Sequence, residues 1–497
     1  MPSIMPTITL ASSVARDPGV LVVGLAEASE GEVLVGLPDD LGKSFSKALG
    51  AELADLARRL GGSAKTGRTV LVPGPNGLRV VVVGLGPIDV TPEEVRRAAG
   101  AAVRLVASLG APAPQTVTIS LEATEPQVIK GAAEGALLGA YSYRPAAPDA
   151  AGVGQIVLVS SNKRTEAKQA LDLAVITAQA VVTARDWVNT PANLLYPDSF
   201  AESAKALARS AKLTAEVWDD KALEKEGFGG IMAVGGGSDH KPRLVKLSYA
   251  PRGARFHLAL IGKGITFDTG GLNLKPADGM YTMKTDMAGA AAVLAAVVAI
   301  AELGLRIRVT AWAAMAENMP SGGSYRPSDV LTMYGGKTVE NGNSDAEGRI
   351  VMADALVKGS QEQPNLVLDV ATLTGACMVA LGERVAGLMA RDDATADLVL
   401  DAAEAAGEQF WQLPIPADAR PKLDSKVADL KSTGDKYGGA LTAAAFLSEF
   451  VPAEIPWAHL DIAGPAFNSG APYDYTPSGG TGVAVRTLIA LAHSLAN

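Results

Sequence analysis

The stretch Phe256-His257-Leu258-Ala259-Leu260-Ile261-Gly262-Lys263-Gly264-Ile265-Thr266-Phe267-Asp268-Thr269-Gly270-Gly271 decides how this chain folds. Its first six residues form a short, mostly apolar run, the composition of a strand buried on both faces. Glycines then bracket Lys263 and follow Asp268, permitting backbone shapes and close approaches that other residues forbid. A lysine and an acid at the end of a buried strand, with Lys275 a few residues on, belong at a sheet edge. In open α/β sheets that edge is where ligands bind.

Outward from this stretch the pattern alternates strand and helix. Downstream, the spacing predicts a helix over 281–303, strands over 307–316, 329–333 and 366–370, and a helix over 346–360. Upstream, buried strands are expected at 19–25, 80–83, 116–121 and 155–160, with a hairpin turning at Pro75-Asn76-Gly77 between 69–72 and 78–83. Thr91 followed three residues later by Glu94 is a capping box, so a helix should begin there and run to about Leu109. Residues 145–154, rich in Pro, Ala and Gly, read as a loop. A long helical pattern over 164–186 ends at Asn189-Thr190-Pro191, where the proline stops it, and reads as a connector. The division is placed at 165: an N-terminal α/β domain over 1–165 with a mainly parallel sheet, and a C-terminal α/β domain over 166–497.

Bulk properties agree with a globular protein. The chain has 497 residues, 48% hydrophobic and 20% charged, ordinary for large buried cores. A net charge of -9 does not suit a protein that coats nucleic acid. The single cysteine, Cys377, excludes an intrachain disulfide. The N-terminus lacks the basic start and apolar run of a signal peptide, and the longest apolar stretches fall short of the roughly 20 residues a membrane helix needs. A soluble, cytoplasmic protein is expected.

Two further segments carry chemistry: Met283-Lys284-Thr285-Asp286-Met287-Ala288-Gly289 and Asn343-Ser344-Asp345-Ala346-Glu347-Gly348-Arg349. Asp286 stands in apolar company, where an acid needs a cation. Asp345 and Glu347, two apart before an apolar helix, can converge on one centre; they can equally be first-turn acids favoured by the helix dipole. Other motifs fail. Gly42-Lys43-Ser44 and Gly336-Lys337-Thr338 end like a phosphate loop, but the glycine required upstream is Leu37 or Leu331. Gly262 and Gly264 would need a glycine at Phe267 to bind a dinucleotide, and Gly84 and Gly86 one at Asp89. His240, His257, His459 and His493 form no His-Glu-x-x-His motif, and no Gly-x-Ser-x-Gly elbow is present. Cys377, among apolar neighbours, reads as a buried structural thiol.

Taken together, these segments resemble the signatures of the leucyl aminopeptidase family of metallopeptidases. The third matches the family's Asn-Thr-Asp-Ala-Glu-Gly-Arg signature with Ser344 in place of Thr, which keeps the hydroxyl. The resemblance runs from Asp186-Trp187-Val188-Asn189-Thr190-Pro191 to Trp457-Ala458-His459-Leu460-Asp461-Ile462-Ala463-Gly464 and on to the C-terminus; the first 165 residues resemble the family loosely. It implies a smaller, macro-domain-like N-terminal α/β domain serving regulation or assembly. It also implies a larger catalytic domain with a central mixed sheet flanked by helices.

By the same resemblance, two divalent ions are expected, manganese or zinc, with magnesium or cobalt as further candidates. Lys263, Asp268 and Asp286 would hold one, with Asp268 and Glu347 as bridges; Asp345 and Glu347 would complete the other. Lys275 and Arg349 match the family's catalytic pair, Arg349 holding a bicarbonate ion. Met283, Thr372, Gly375 and Ala463 would line the side-chain pocket. The implied activity is release of N-terminal residues, leucine and other apolar ones preferred, from peptides with a free amino end, by a homohexamer. The rival readings are another two-metal hydrolase, such as a phosphoesterase, and a DNA-binding or regulatory protein on the same fold.

Overall fold

In the computed structural model, which describes residues 3–110, 115–143 and 152–496, the decisive stretch is the strand His257–Asp268, buried along almost its whole length. It lies near the middle of an eight-stranded sheet ordered Phe410–Gln412, Ala386–Ala390, Trp457–Asp461, Leu366–Ala371, His257–Asp268, Arg308–Asn318, Arg243–Tyr249, Thr214–Trp218. The four central strands run parallel. Antiparallel pairs join Arg243–Tyr249, Thr214–Trp218 and Ala386–Ala390 to this core. The sheet is therefore mixed, with a parallel core that matches the continuous apolar runs of its central strands.

Two helices sandwich that core. Ala288–Glu302, almost entirely Ala, Val, Leu and Ile, is buried from Ala288 to Ile300. It lies directly on the strands: a Cβ at Gly262 would fall 2.5 Å from Ala290 Cα, and one at Gly289 would fall 2.0 Å from the Val370 carbonyl oxygen. Only glycine permits that approach. On the other face Glu347–Ser360 packs with Ala259, Ile261, Ile265, Trp312 and Val367 in one apolar cluster. The run Ala277–Glu302 is long and apolar enough to cross a membrane by length and composition, yet 89% of its most apolar window is buried inside the protein, as in a core helix.

The sequence pattern places the first helix over 281–303, but it starts at Ala288, after a separate 3-10 turn at Met283–Thr285. Asp286 is the reason: its backbone sits at φ -73°, ψ 8° and its carboxylate is held by Lys263 and Thr372. The strand expected over 329–333 is only Val330–Thr332, in a three-stranded sheet with Thr338–Glu340 and Leu430–Lys431.

The contacts divide the chain into two compact units, Met1–Val182 with Ser469–Ser478, and Thr183–Asn468 with Gly479–Asn497. The helix Thr165–Asn189 begins in the first and ends in the second. The first unit holds a seven-stranded sheet ordered Thr7–Ala11, Val153–Val159, Gln115–Ser120, Val20–Ala28, Arg79–Pro87, Thr69–Pro73, with Gly31–Val35 beside Val20–Ala28. Its core is parallel, and the expected hairpin pairs Thr69 with Val83. Thr91 and Glu94 form the capping box: Glu94 N donates to Thr91 Oγ1 at 3.2 Å and Thr91 N to Glu94 Oε2 at 2.8 Å. Most of the loop read over 145–154 lies outside the described residues.

Candidate metal centre

Five of the residues singled out from sequence meet at the C-terminal ends of the parallel strands of the second unit. Lys263 and Asp268 come from the central strand. Asp286 comes from the turn before the apolar helix, Asp345 from the 3-10 turn Ser344–Ala346, and Glu347 from the first turn of the following helix. Lys263 Nζ lies 2.7 Å from each oxygen of Asp286 and 2.8 Å from Glu347 Oε1, and donates to the Thr372 carbonyl at 3.1 Å. Lys275 Nζ lies 2.8 Å from Asp268 Oδ2 and 2.5 Å from Asp345 Oδ1.

Local structure fixes these groups. Gly270 N donates to Asp268 Oδ1 and Thr372 Oγ1 to Asp286 Oδ1, at 2.8 and 2.7 Å. The hydroxyl of Ser344 donates to Gly270 O at 2.7 Å and accepts from Asn273 N at 2.8 Å, tying the loop that leads to Lys275 to the turn that carries Asp345. The substitution of Thr by Ser in the signature thus preserves a bonded hydroxyl. Gly348 leaves room for Lys263: a Cβ there would lie 2.5 Å from Lys263 Cε.

The electrostatics call for more positive charge than the chain supplies. Four carboxylates face two lysines, a net of two negative charges in a site where Lys263, Asp268, Asp286 and Glu347 are all buried. Burial pushes the Asp286 carboxyl well above its ordinary range, against the pull of Lys263. Burial and then Glu347 raise Asp268 to about 6. Burial opposes the charge on Lys263, but Asp286, Glu347 and Asp268 outweigh it and raise its pKa. Asp268, Asp286 and Glu347 each offer an oxygen within 4.8 Å of the others, and Glu347 Oε2 is buried without a hydrogen-bond partner. An orphaned carboxylate oxygen in a dry, negatively charged cage is costly unless a cation meets it. The donor set, carboxylate oxygens with one amine, fits Mg, Mn, Zn or Co.

Arg349 is buried nearby on the helix Glu347–Ser360. Burial lowers its pKa to about 10, against Glu347 and Asp461. Its Nη1 donates to Ser432 O at 2.8 Å, while Nε is buried without a partner. The four residues expected in the side-chain pocket are placed less uniformly. Thr372 is bonded to Asp286. Gly375 is exposed, with open space where a Cβ would stand. The carbonyl of Met283 accepts from Asp286 N at 3.4 Å. Ala463 N donates to Asp461 Oδ1 at 3.1 Å.

Asp461, which sequence reasoning left without a role, also accepts from Leu373 N at 3.2 Å and from Thr374 Oγ1 at 2.7 Å. It therefore joins the loop of Thr372 and Gly375 to the loop of Ala463. An acid ending the buried strand Trp457–Asp461 was the available signal. His459 is fully buried, with Nδ1 2.5 Å from Asp369 Oδ1. Burial raises the Cys377 thiol to about 12, leaving it protonated at neutral pH.

A mixed α/β sheet carries, at its C-terminal edge, a buried lysine and carboxylate cage whose donor set suits a divalent cation. Residues 182–489 match the catalytic domain of the cytosol aminopeptidase family, and residues 22–145 match that family's N-terminal domain. The chain belongs to the cytosol aminopeptidase family and is a two-domain α/β aminopeptidase.

Among curated relatives, a probable cytosol aminopeptidase of Cutibacterium acnes is 52% identical over 485 residues, covering 97% of this chain and 95% of that protein. One from Streptomyces avermitilis is 48% identical over 511 residues, covering 98% of each. Among solved structures, the bottromycin maturation enzyme BotP in complex with Mn superposes with a TM-score of 0.84 at 39% identity, covering 97% of this chain and 100% of that one. A point variant of tomato leucine aminopeptidase superposes with a TM-score of 0.86 at 30% identity, covering 99% and 97%. The manganese-bound neighbour and the acidic cluster together support divalent-metal binding.

Proposed function

We propose that this aminopeptidase is metal-dependent, removes leucine and other apolar residues from the free amino end of peptides, and acts in the cytoplasm as a homohexamer. The observation that carries the reading is the convergence of Lys263, Asp268, Asp286, Asp345 and Glu347 from separate elements into one buried cage with an orphaned Glu347 oxygen. Lys263, as the free amine once the nearby cations displace its proton, would hold one ion with Asp268 and Asp286, and Asp345 the other, with Asp268 and Glu347 shared; manganese and zinc lead among the candidates. Two divalent ions so held supply a water of lowered pKa and a Lewis acid for the scissile carbonyl.

The chain's own residues do the rest. Lys275, which Asp268 and Glu347 keep protonated against the cost of burial, places a positive charge where the carbonyl oxygen becomes an oxyanion. Arg349 has no proton to give; its partnerless Nε–H suits a planar oxyanion such as bicarbonate, which would serve as the base. Met283, Thr372, Gly375 and Ala463 would border the side chain of the departing residue, with Asp461 holding two of the loops in register. Small groups and a methionine leave an apolar slot.

The test is metal analysis of purified protein, paired with hydrolysis of leucine amide after chelation and re-addition of single ions. Activity should vanish on chelation and return with manganese or zinc, and N-acetyl-leucine amide should resist. Full activity after complete chelation would end the metal reading, and equal cleavage of the acetylated amide would end the aminopeptidase reading.

A further inference from the structure

We propose that Asn318 is a positioning residue that sets the orientation of Asp268 and locks it to the turn carrying Asp345. This rests on the reading of those two acids as metal ligands. Asn318 ends the strand Arg308–Asn318 and pairs directly with Asp268 on the neighbouring strand. Its side chain is 1% exposed. The amide nitrogen donates to Asp268 Oδ1 at 2.8 Å and to the Ser344 carbonyl at 2.9 Å. Both partners only accept, so the nitrogen face of the amide must point at them and both its hydrogens are used.

The same residue holds the chain just beyond Asp268. Its backbone carbonyl accepts from Thr269 N at 3.0 Å and from Thr269 Oγ1 at 2.7 Å. Ser344 opens the 3-10 turn Ser344–Ala346, and its carbonyl also takes the hydroxyl of the buried Tyr325 at 2.7 Å. One side-chain amide thus joins the strand bearing Lys263 and Asp268 to the turn bearing Asp345.

The consequence for the site follows from which oxygen is engaged. Asp268 Oδ1 receives two donors, Asn318 Nδ2 and Gly270 N. That leaves Oδ2, 2.8 Å from Lys275 Nζ, to face the cage. Without the amide, Gly270 N alone holds Oδ1, and the carboxylate, still paired with Lys275 through Oδ2, is less tightly fixed about its last bond. Partners that orient a ligating carboxylate typically change metal affinity by about 10–100-fold.

The experiment titrates manganese into chelated protein by calorimetry, with the melting temperature of the chelated protein read in parallel. Asn318→Ala should weaken manganese binding by about 10–100-fold. Asn318→Ser, which keeps one donor hydrogen, should fall between it and the unaltered protein, and it carries the test should the alanine variant not fold. A merely structural role would lower the melting temperature and leave the manganese affinity of the folded protein unchanged; that result overturns the proposal. Asp268→Ala separates the two levels. Unaltered manganese binding in Asp268→Ala sinks the ligand reading itself. Loss of binding there, with normal binding in the Asn318 variants, sinks only the role of Asn318.

Discussion

Substituting Gly348 by alanine should disable the site while leaving the fold nearly intact. The added Cβ would stand 2.5 Å from Lys263 Cε and 2.7 Å from Nζ, against an ordinary carbon–carbon contact of about 3.5–4.0 Å. The lysine end must therefore retreat by about 1 Å. Its contacts to Asp286 and Glu347 at 2.7–2.8 Å would lengthen to about 3.5 Å or more, beyond hydrogen-bond range. The lysine is 2% exposed and has no solvent-side refuge. A misplacement of about 1 Å at a reacting centre costs about 100-fold in rate, or about 2.7 kcal/mol of transition-state stabilisation. Metal affinity should fall with it.

Stability responds to two opposed effects. Overpacking a dense site costs about 1–3 kcal/mol, while replacing a helical glycine by alanine returns about 0.5–1 kcal/mol. The net is small, so the signature is a large loss of leucine amide hydrolysis with a shift of a few degrees in melting temperature. In a Lys263→Ala background the clash disappears, and Gly348→Ala should then stabilise by about 0.5–1 kcal/mol in a double-mutant cycle. Activity within twofold of the unaltered enzyme, together with a raised melting temperature, would refute the steric argument.

Two other perturbations follow. Lys275→Ala should lower leucine amide turnover by about 100–1,000-fold, as when one oxyanion donor is removed, with bound metal measured by elemental analysis unchanged; loss of metal as well would reassign Lys275 to metal binding. Asp354 is a buried acid accepting from Tyr334 N and Ile231 N at 2.8 and 2.9 Å. Burial raises it to about 7, against those backbone donors. Its pKa in the folded state lies above the unfolded value, so its contribution is fully present below about pH 4 and lost as pH rises to about 7. Between pH 5 and pH 7, Asp354→Asn should therefore gain about 2–3 kcal/mol relative to the unaltered protein in urea unfolding, and a pH-independent difference would show that the carboxyl titrates elsewhere.

What the sequence discloses depends on how periodic the signal is. Mostly apolar runs such as 256–261 and 366–370 mark strands because burial on both faces leaves few polar positions, and the exceptions, His257 and Asp369, are buried with side-chain partners. The capping box at Thr91 and Glu94 is local chemistry and is readable directly. The start of the helix at Ala288 is not, because Asp286 is pulled out of helical geometry by partners 23 and 86 positions away, Lys263 and Thr372. Asn318 and Asp461 escape for a related reason. Each is the last residue of a mostly apolar strand, and its importance lies in what it touches beyond that strand.

The bulge in the central strand makes the same point within one element. Lys263 and Asp268 are five residues apart, and in a regular strand an odd spacing sends side chains to opposite faces. Lys263 lies between Ile261 and Ile265, which pack in the cluster with the helix Glu347–Ser360; Gly262 faces the opposite helix at Ala290. On that period Asp268 would join the Gly262 face, away from Glu347. Instead the register against Arg308–Asn318 slips by one residue between Ile265 and Phe267, so that Asp268 pairs with Asn318. One extra residue reverses the phase and brings the lysine, the aspartate and the asparagine to one side. Composition and spacing single out Lys263 and Asp268 as reactive, but only the bulge makes them neighbours, and removing that one residue would scatter the cage without changing any of its ligands.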